Sequence, residues 1–387
     1  MITKNSIKLL DKKIVFMVPD IEIGGIEINT LNFCNNLINK LTNITIIYER
    51  TSNHDLKKKF DERIHFFNMG PSKARYLFWK YKNILQDEDP DFVITSSFTI
   101  LFNLFLTKII SAQNFKIIFK IETNFKEYLS DKSFMIDNLL YKFFSYIVLK
   151  NTNLIVCSSQ LLASSVKEEF DNKLNKKIIC IYNPVITDND RCIRKLINHK
   201  FFNTHSPEII KLVSVGRLIP SKGYSELISI IEILKKDADN KDFKLLIIGE
   251  GSEKNNLWAL IKEKKLESNI DIINFCDNFL DYIYQSDIYI SNSEFEGLNN
   301  NIIHALMQGK HVISTDCDFG PREILKNGRY GSLVPLRSKQ AMAKKILEIS
   351  NFPLLNERKQ IDRLQERAEE FSAEKNSEKF LDAIKQI

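Results

Sequence analysis

Short apolar runs alternate along this chain with longer stretches in which apolar residues return every three or four positions. A short apolar run bounded by turn residues reads as a buried strand, and the three-to-four spacing reads as an amphipathic helix. In the first half the runs predict strands at Lys13–Val18, Asn43–Tyr48, Ile64–Phe67, Phe92–Thr95, Lys116–Lys120, Leu154–Cys157 and Lys177–Ile181. Gly24 and Gly25 precede a helix with apolar positions Ile28, Leu31, Leu37 and Ile38, and Gln160–Phe170 is a later helix of the same kind. The second half repeats the alternation. Its strands are predicted at Lys211–Leu218, Phe243–Gly251, the run beginning at Ile270, Asp287–Ser291 and His311–Ser314, with helices at Gly223–Lys236 and Ser252–Leu266. Residues 187–210 between the halves are polar and lack periodicity, which marks a linker. Leu354–Glu370 and Ala373–Ile387 close the chain as two helices, the last with an apolar stripe at Phe380, Leu381 and Ile384. Continuous strand–helix alternation predicts parallel sheets. A length of 387 residues exceeds what one core usually supports, so the expected division is 1–186, the linker, 211–353 and the helices of 354–387.

The stretch Ser291–Val334 concentrates the candidate chemistry. An apolar strand runs into a polar turn at Glu296 and Gly297, then into a helix-period run through Ile302, Ile303, Leu306 and Met307 that stops at Gly309. The turn therefore sits at the carboxyl end of a parallel strand, where open α/β sheets bind ligands. Gly297 permits close backbone approach, and Asn299, Asn300 and Asn301 offer caps and amides at a helix N-terminus, which suits a phosphate. The same residues also make an ordinary turn and cap. On their own they leave both readings open.

Composition is that of a globular chain, 44% hydrophobic and 27% charged. Six scattered cysteines show no C-x-x-C spacing, which points to reduced thiols in a cytosolic protein and away from structural zinc. The first residues enter a strand without the apolar core of a signal peptide. The apolar runs Phe98–Ile110 and Phe134–Leu149 are short and interrupted by Asn103, Lys108, Asp137 and Lys142, so both read as buried helices and not as bilayer spans. The formal charge of +6 lies entirely in residues 1–185, with 25 Lys and Arg against 19 Asp and Glu. There, Pro71–Lys82 mixes cations with Tyr76, Phe78, Trp79 and Tyr81. Such a helix fits an anionic membrane surface, or it is a solvated helix with its aromatics turned to the core. No recognition motif accompanies the charge, so a nucleic-acid partner is not expected.

Neither half carries G-x-G-x-x-G after a strand, which removes the usual dinucleotide fingerprint. The series SVGRLIPSKGYSELI, LLIIGEGSEKNNL, NSEFEGLNNNIIHALMQGKHVISTDCDFGPREIL and NGRYGSLVP resembles the C-terminal domain of the family-4 retaining glycosyltransferases. IEIGGIEINTLNF, IVCSSQLLASSVKEEF and KIICIYNPV resemble the N-terminal domain of the same family. The resemblance implies an α/β GT-B fold, in which two doubly wound Rossmann-like domains face across a cleft and the C-terminal helices return to the first domain. It implies transfer of a sugar from a nucleotide diphosphate to an acceptor hydroxyl with retention, through a transition state that builds negative charge on the departing diphosphate. No metal or other cofactor is implied.

Carried over residue by residue, the resemblance gives catalytic roles to Glu296, Arg217 and Lys222. Arg217 and Lys222 match the family's G-R…K-G phosphate positions, and Glu296 is the first glutamate of E-x7-E, which contacts the donor sugar. The donor-binding set further includes Gly24 and Gly25 facing the leaving group, Gly216, Gly249, Gly251, the turn Gly297, Leu298, Asn299 and Asn300, and His304. His304 stands where the family has its second glutamate, the ribose ligand; a neutral imidazole accepts one hydrogen bond and donates one. Asn274 likewise replaces a frequent glycine. Glu27, Glu122 and Asn124 fall on the acceptor side, the last two in IETN, similar to the S-E-R-N of some members. The expectation is thus a cytosolic enzyme, peripheral to the inner membrane face through its basic N-terminal domain. It would use a UDP-hexose or UDP-N-acetylhexosamine to build lipopolysaccharide or another surface polysaccharide on a glycan or lipid-linked acceptor. A nucleotide-sugar 2-epimerase of the same fold and a catalytically silent assembly partner are the alternatives.

Overall fold

The computed structural model describes residues 11–387 apart from 22–23, 42, 52–53, 71–73, 123–137, 193, 204–205, 207, 238–239 and 352–357. The chain divides into two compact units, one of residues 1–184 with 373–387 and one of 185–372. In the first, β1 (Lys13–Ile21), β2 (Asn43–Thr51), β3 (His65–Asn68), β4 (Phe92–Thr95), β5 (Lys116–Ile121), β6 (Leu154–Cys157) and β7 (Ile178–Cys180) form one sheet in the order β3-β2-β1-β4-β5-β6-β7. In the second, β8 (Ile209–Val215), β9 (Asp242–Ile248), β10 (Ile270–Ile273), β11 (Ile288–Ser291), β12 (His311–Thr315) and β13 (Ser332–Val334) take the order β10-β9-β8-β11-β12-β13. Every pairing in both sheets is parallel. Each unit is therefore a Rossmann-like α/β domain, and its strand order reverses once, at β1/β4 and at β8/β11.

The strands are buried on both faces, which is why they read as continuous apolar runs. Ile14, Phe16, Ile44, Ile46 and Ile118 lie in the core of the first sheet, closed by Leu31, Phe33 and Leu37 of the helix Gly25–Leu37 and by Phe380, Leu381 and Ile384 of the last helix, Ala373–Lys385. The stripe at the chain's end thus covers the first unit, whereas the helix Arg358–Ala368, expected to return there as well, is grouped with the second. Leu212, Leu245, Ile247, Ile288, Ile290 and Ile313 form the corresponding core of the second unit, packed against Leu227, Ile231 and Leu234 of the helix Tyr224–Asp237.

Two expectations change here. The stretch 187–210 is grouped with the second unit, and its first turn, Asp188–Arg191, is a short helix. The helices Phe98–Ser111 and Asn138–Asn151 are only half buried: Leu101 and Leu104 face inward, while Phe102, Ile109, Ile110, Phe143 and Phe144 are exposed. The basic-aromatic helix, Ala74–Glu88, splits the same way. Tyr81 is buried and donates to Glu49 at 2.7 Å, whereas Trp79 is exposed. Residues 71–73 of that stretch lie outside the described residues. Among the described residues no helix is long and apolar enough to cross a membrane.

Candidate active site

The reversal of strand order at β8/β11 opens a crevice at the carboxyl ends of those strands. Gly216 and Arg217 follow β8 directly, and the turn Pro220–Lys222 ends at Gly223. Gly223 has φ +66°, and a Cβ there would meet the carbonyl oxygen of Asn292, after β11, at 2.2 Å. Only glycine fits that conformation and that contact. The loops around the crevice are pinned to one another. Gly216 N–H donates to Ile248 O (3.0 Å) and Leu218 N–H to Glu250 O (2.7 Å), which binds the β8 loop to the β9 loop containing Gly249 and Gly251. Glu294 N–H donates to Ser221 O (2.9 Å), Asn292 Nδ2 to Gly223 O (3.0 Å) and Thr315 Oγ1 to Ser293 O (2.6 Å), joining the loops after β8, β11 and β12.

Glu296 lies at the centre of this floor. Its Oε1 accepts from Lys222 Nζ (2.6 Å), Ser293 Oγ (2.6 Å) and Asn299 Nδ2 (2.8 Å). Three donors on one oxygen fix the carboxylate and leave Oε2 as the oxygen that can accept from a ligand hydroxyl. Lys222 has three N–H donors, so it can hold Glu296 and still reach an anion. Arg217 is exposed and its side chain engages no partner among the described residues. Asn299 caps the helix Asn300–Met307, its Oδ1 accepting from Asn301 N–H (3.1 Å) and Ile302 N–H (3.3 Å), while Gly297 and Leu298 form the turn ahead of the cap. Across from this turn Phe319 takes φ 70° and ψ −76°, a strained conformation for a side-chain-bearing residue, and bridges to Glu296.

His304 is engaged elsewhere. Its Nδ1 lies 2.7 Å from Asp190 Oδ1, and its ring meets Phe279 edge-on at 5.4 Å. Asp190 Oδ2 accepts from Thr187 N–H (2.8 Å) and Oγ1 (2.7 Å), and the Asp190 carbonyl accepts from Gln308 Nε2 (3.0 Å). Burial opposes ionisation of Asp190, but the adjacent His304 imidazole and the two Thr187 donors hold its carboxyl below the usual range. Nδ1 of the imidazole thus faces Asp190, and Nε2 remains for a ligand.

In the first unit, Gly24 and Gly25 begin the helix after β1, with Glu27 in its first turn. Glu122 follows β5, fully buried, accepting from Asn29 Nδ2 (2.7 Å) and Lys120 Nζ (2.8 Å). Asn124 lies outside the described residues. Sequence reasoning passed over Ser293, Phe319 and Asp190. Of these, Asp190 left a trace: Thr187 and Asp190 are spaced as a capping box at a helix start.

Two Rossmann-like parallel-sheet units, the second with a switch-point crevice that gathers an exposed arginine, a half-buried lysine, glycine turns and a triply held carboxylate, fit a GT-B glycosyltransferase. Residues 197–371 match the family described as Glycosyl transferases group 1, and residues 23–189 match that described as Glycosyltransferase Family 4. An uncharacterized glycosyltransferase of Methanocaldococcus jannaschii is 30% identical over 290 residues, 70% of this chain and 68% of that protein. The chain belongs to the family-4 GT-B glycosyltransferases. An N-acetylgalactosaminyltransferase of Campylobacter jejuni acting on N-acetylgalactosamine-N,N'-diacetylbacillosaminyl-diphospho-undecaprenol is 29% identical, the match spanning 53% of each chain. Among solved structures, a glycosyltransferase from Rickettsia africae superposes with TM-score 0.76 at 22% identity, covering 97% of this chain and 98% of that one. The Anabaena protein HepE in complex with UDP gives 0.75 at 16% identity, covering 97% and 100%.

Proposed function

We propose that this glycosyltransferase retains configuration at the anomeric carbon and moves a hexose or N-acetylhexosamine from UDP to a glycan or lipid-linked acceptor in surface polysaccharide or lipopolysaccharide assembly. The observation that carries this reading is the triply hydrogen-bonded Glu296 coupled to Lys222, with Arg217 exposed in the same loop after β8 at the β8/β11 switch point. Charge developing on the leaving diphosphate would be met by Arg217, Lys222 and the amides of the turn at Gly297, so the reading needs no metal ion. Preorganised donors of this kind are worth most where charge appears in the transition state. Glu296 Oε2 would accept from a donor-sugar hydroxyl and orient the anomeric carbon. His304, fixed by Asp190, would offer Nε2 to the ribose. Relatives support the acceptor class: besides the Campylobacter enzyme, a poly(ribitol-phosphate) alpha-N-acetylglucosaminyltransferase of Staphylococcus aureus is 28% identical over 141 residues, though these span only 28% of that protein.

A panel of nucleotide sugars tests the reading by thermal shift and by release of nucleoside diphosphate, since a ligand of the folded state raises Tm. A UDP-sugar is expected to raise Tm and to yield UDP when a lipid-linked acceptor is added. A panel without a shift and without release contradicts it.

A further inference from the structure

A cavity of about 140 Å³ opens in the second unit at the amino ends of β12 and β13, the opposite edge of the sheet from the β8/β11 crevice. Its walls are His311 at the start of β12, the loop Gly328–Gly331 that leads into β13, and Gln360 and Arg363 of the helix Arg358–Ala368. A Cβ at Gly331 would meet Val312 O at 2.8 Å and the Leu325 side chain at 2.9 Å, so glycine lets this loop close against β12. The close approach brings Arg329 and Tyr330 to the edge of the sheet.

Two guanidiniums gather on one ring there. Arg363 Cζ lies 5.0 Å and Arg329 Cζ 5.6 Å from the Tyr330 centroid. Arg363 Nη2 donates to the Arg329 carbonyl (3.1 Å), and neither guanidinium has a carboxylate partner among the described residues. Asp362 and Glu366 share the helix with Arg363 but do not pair with it. Lys326, a third cation over the same ring at 5.8 Å, is paired with Glu370 at 3.0 Å and adds nothing to the excess. His311 brings no negative charge to the wall: burial and then Lys345, against Glu348, push its pKa down to about 4. Lys345 is itself paired with Glu348 at 2.6 Å.

The cavity is thus walled by two cations and no anion. Both arginines are exposed, so their donors face solvent and are open to a ligand. A guanidinium presents a planar fork of N–H groups matched to the oxygens of a phosphate, and two of them together suit a dianion. Size limits the rest of the ligand. An engineered cavity of about 150 Å³ takes one benzene molecule, so these walls have room for a phosphate on a short carbon chain and not for a nucleotide sugar.

We propose that this cavity is an anion site separate from the donor crevice and takes a small phosphate monoester, its phosphate held by Arg329 and Arg363 and its polar remainder by the Gln360 amide. The site goes beyond the transfer reading and shares no residue with it.

Calorimetric titration of the full chain with glycerol 3-phosphate, inorganic phosphate and acetate at fixed ionic strength tests it. Saturable binding of glycerol 3-phosphate is expected, and R329Q/R363Q should weaken it at least about tenfold while keeping Tm and transfer activity. R217Q/K222Q removes the same two charges at the donor crevice and should leave the affinity within about twofold, as for distant independent sites. Absence of saturable binding overturns the proposal. So does binding that R217Q/K222Q abolishes and R329Q/R363Q does not, which would put the anion in the donor crevice. Tighter binding of acetate or of inorganic phosphate than of glycerol 3-phosphate overturns the assignment to a monoester. No sugar donor or acceptor is present in the titration, so its failure leaves the transfer reading intact, and a failure of transfer leaves this site intact.

Discussion

Each unit carries a lysine–glutamate pair at the carboxyl ends of its strands. Lys120 and Glu122 lie 2.8 Å apart with side-chain exposures of 6% and 3%; Lys222 and Glu296 lie 2.6 Å apart with exposures of 22% and 11%. The chemistry is the same and the use is opposite. In the first unit both Glu122 oxygens are taken, by Lys120 and by Asn29 of the helix that begins at Gly25, and Lys120 also stands over the Phe33 ring at 4.5 Å. That pair fastens the first helix to the sheet. In the second unit three donors share one oxygen of Glu296, and the rest of the carboxylate and ammonium stays open to a ligand. A roughly fourfold difference in exposure separates a charge that holds the fold from one left open to a ligand.

The largest effect should come from Glu296→Ala. Transfer is expected to fall about a thousandfold in kcat/KM, the scale of losing a preorganised polar contact in the transition state, with Tm nearly unchanged. Full activity in this variant would break the comparison. Glu122→Ala should behave the other way, losing about 3 kcal/mol of stability because it strands a buried ammonium. Chemical denaturation measures it, and an unchanged midpoint would place the two pairs in one class.

A pH effect separates the frame of the second unit from its site. His311, beside β13 with Nε2 3.1 Å from Ser332 Oγ, has its pKa pushed down to about 4 by burial and by Lys345, against Glu348. The folded state keeps this imidazole neutral, while the unfolded chain protonates it near 6.5. Stability is therefore present in full above pH of about 6.5 and lost progressively as pH falls from there through about 4, by about 3 kcal/mol. His311→Gln should flatten that part of the denaturation profile and leave donor binding alone.

The smallest expected effect is that of Asp190→Asn. With the carboxylate gone, the His304 ring loses the partner that orients it, and donor KM should rise about tenfold with kcat little changed, as for outer residues that position a ligand group. Unchanged donor affinity would make the Asp190–His304 pair a purely structural tie.

Much of this was legible in the sequence because parallel strands buried on both faces leave uninterrupted apolar runs. β4 and β6 coincide with their predicted limits, and β12 extends one residue further, to Thr315. β13 escaped notice, since three residues between Gly331 and Pro335 carry no period. The inward stripes of Phe98–Ser111 and Asn138–Asn151 are legible as apolarity, but their outward apolar residues read the same way as core, because composition does not say which face a neighbour covers. Glu296, Arg217 and Lys222 stood out through family resemblance, whereas the Asp190–His304 contact spans 114 residues and joins a segment without periodicity to a helix. The φ of Phe319 left no trace at all, since positive φ is written in sequence mainly by glycine and asparagine.

A crystal structure of the protein with a bound UDP-sugar measures directly where a diphosphate sits. Pyrophosphate oxygens are expected within hydrogen-bond distance of Lys222 Nζ and the Arg217 guanidinium, with a sugar hydroxyl on Glu296. A pyrophosphate held anywhere else, with Lys222 and Glu296 still bonded only to each other and to Ser293 and Asn299, would contradict it.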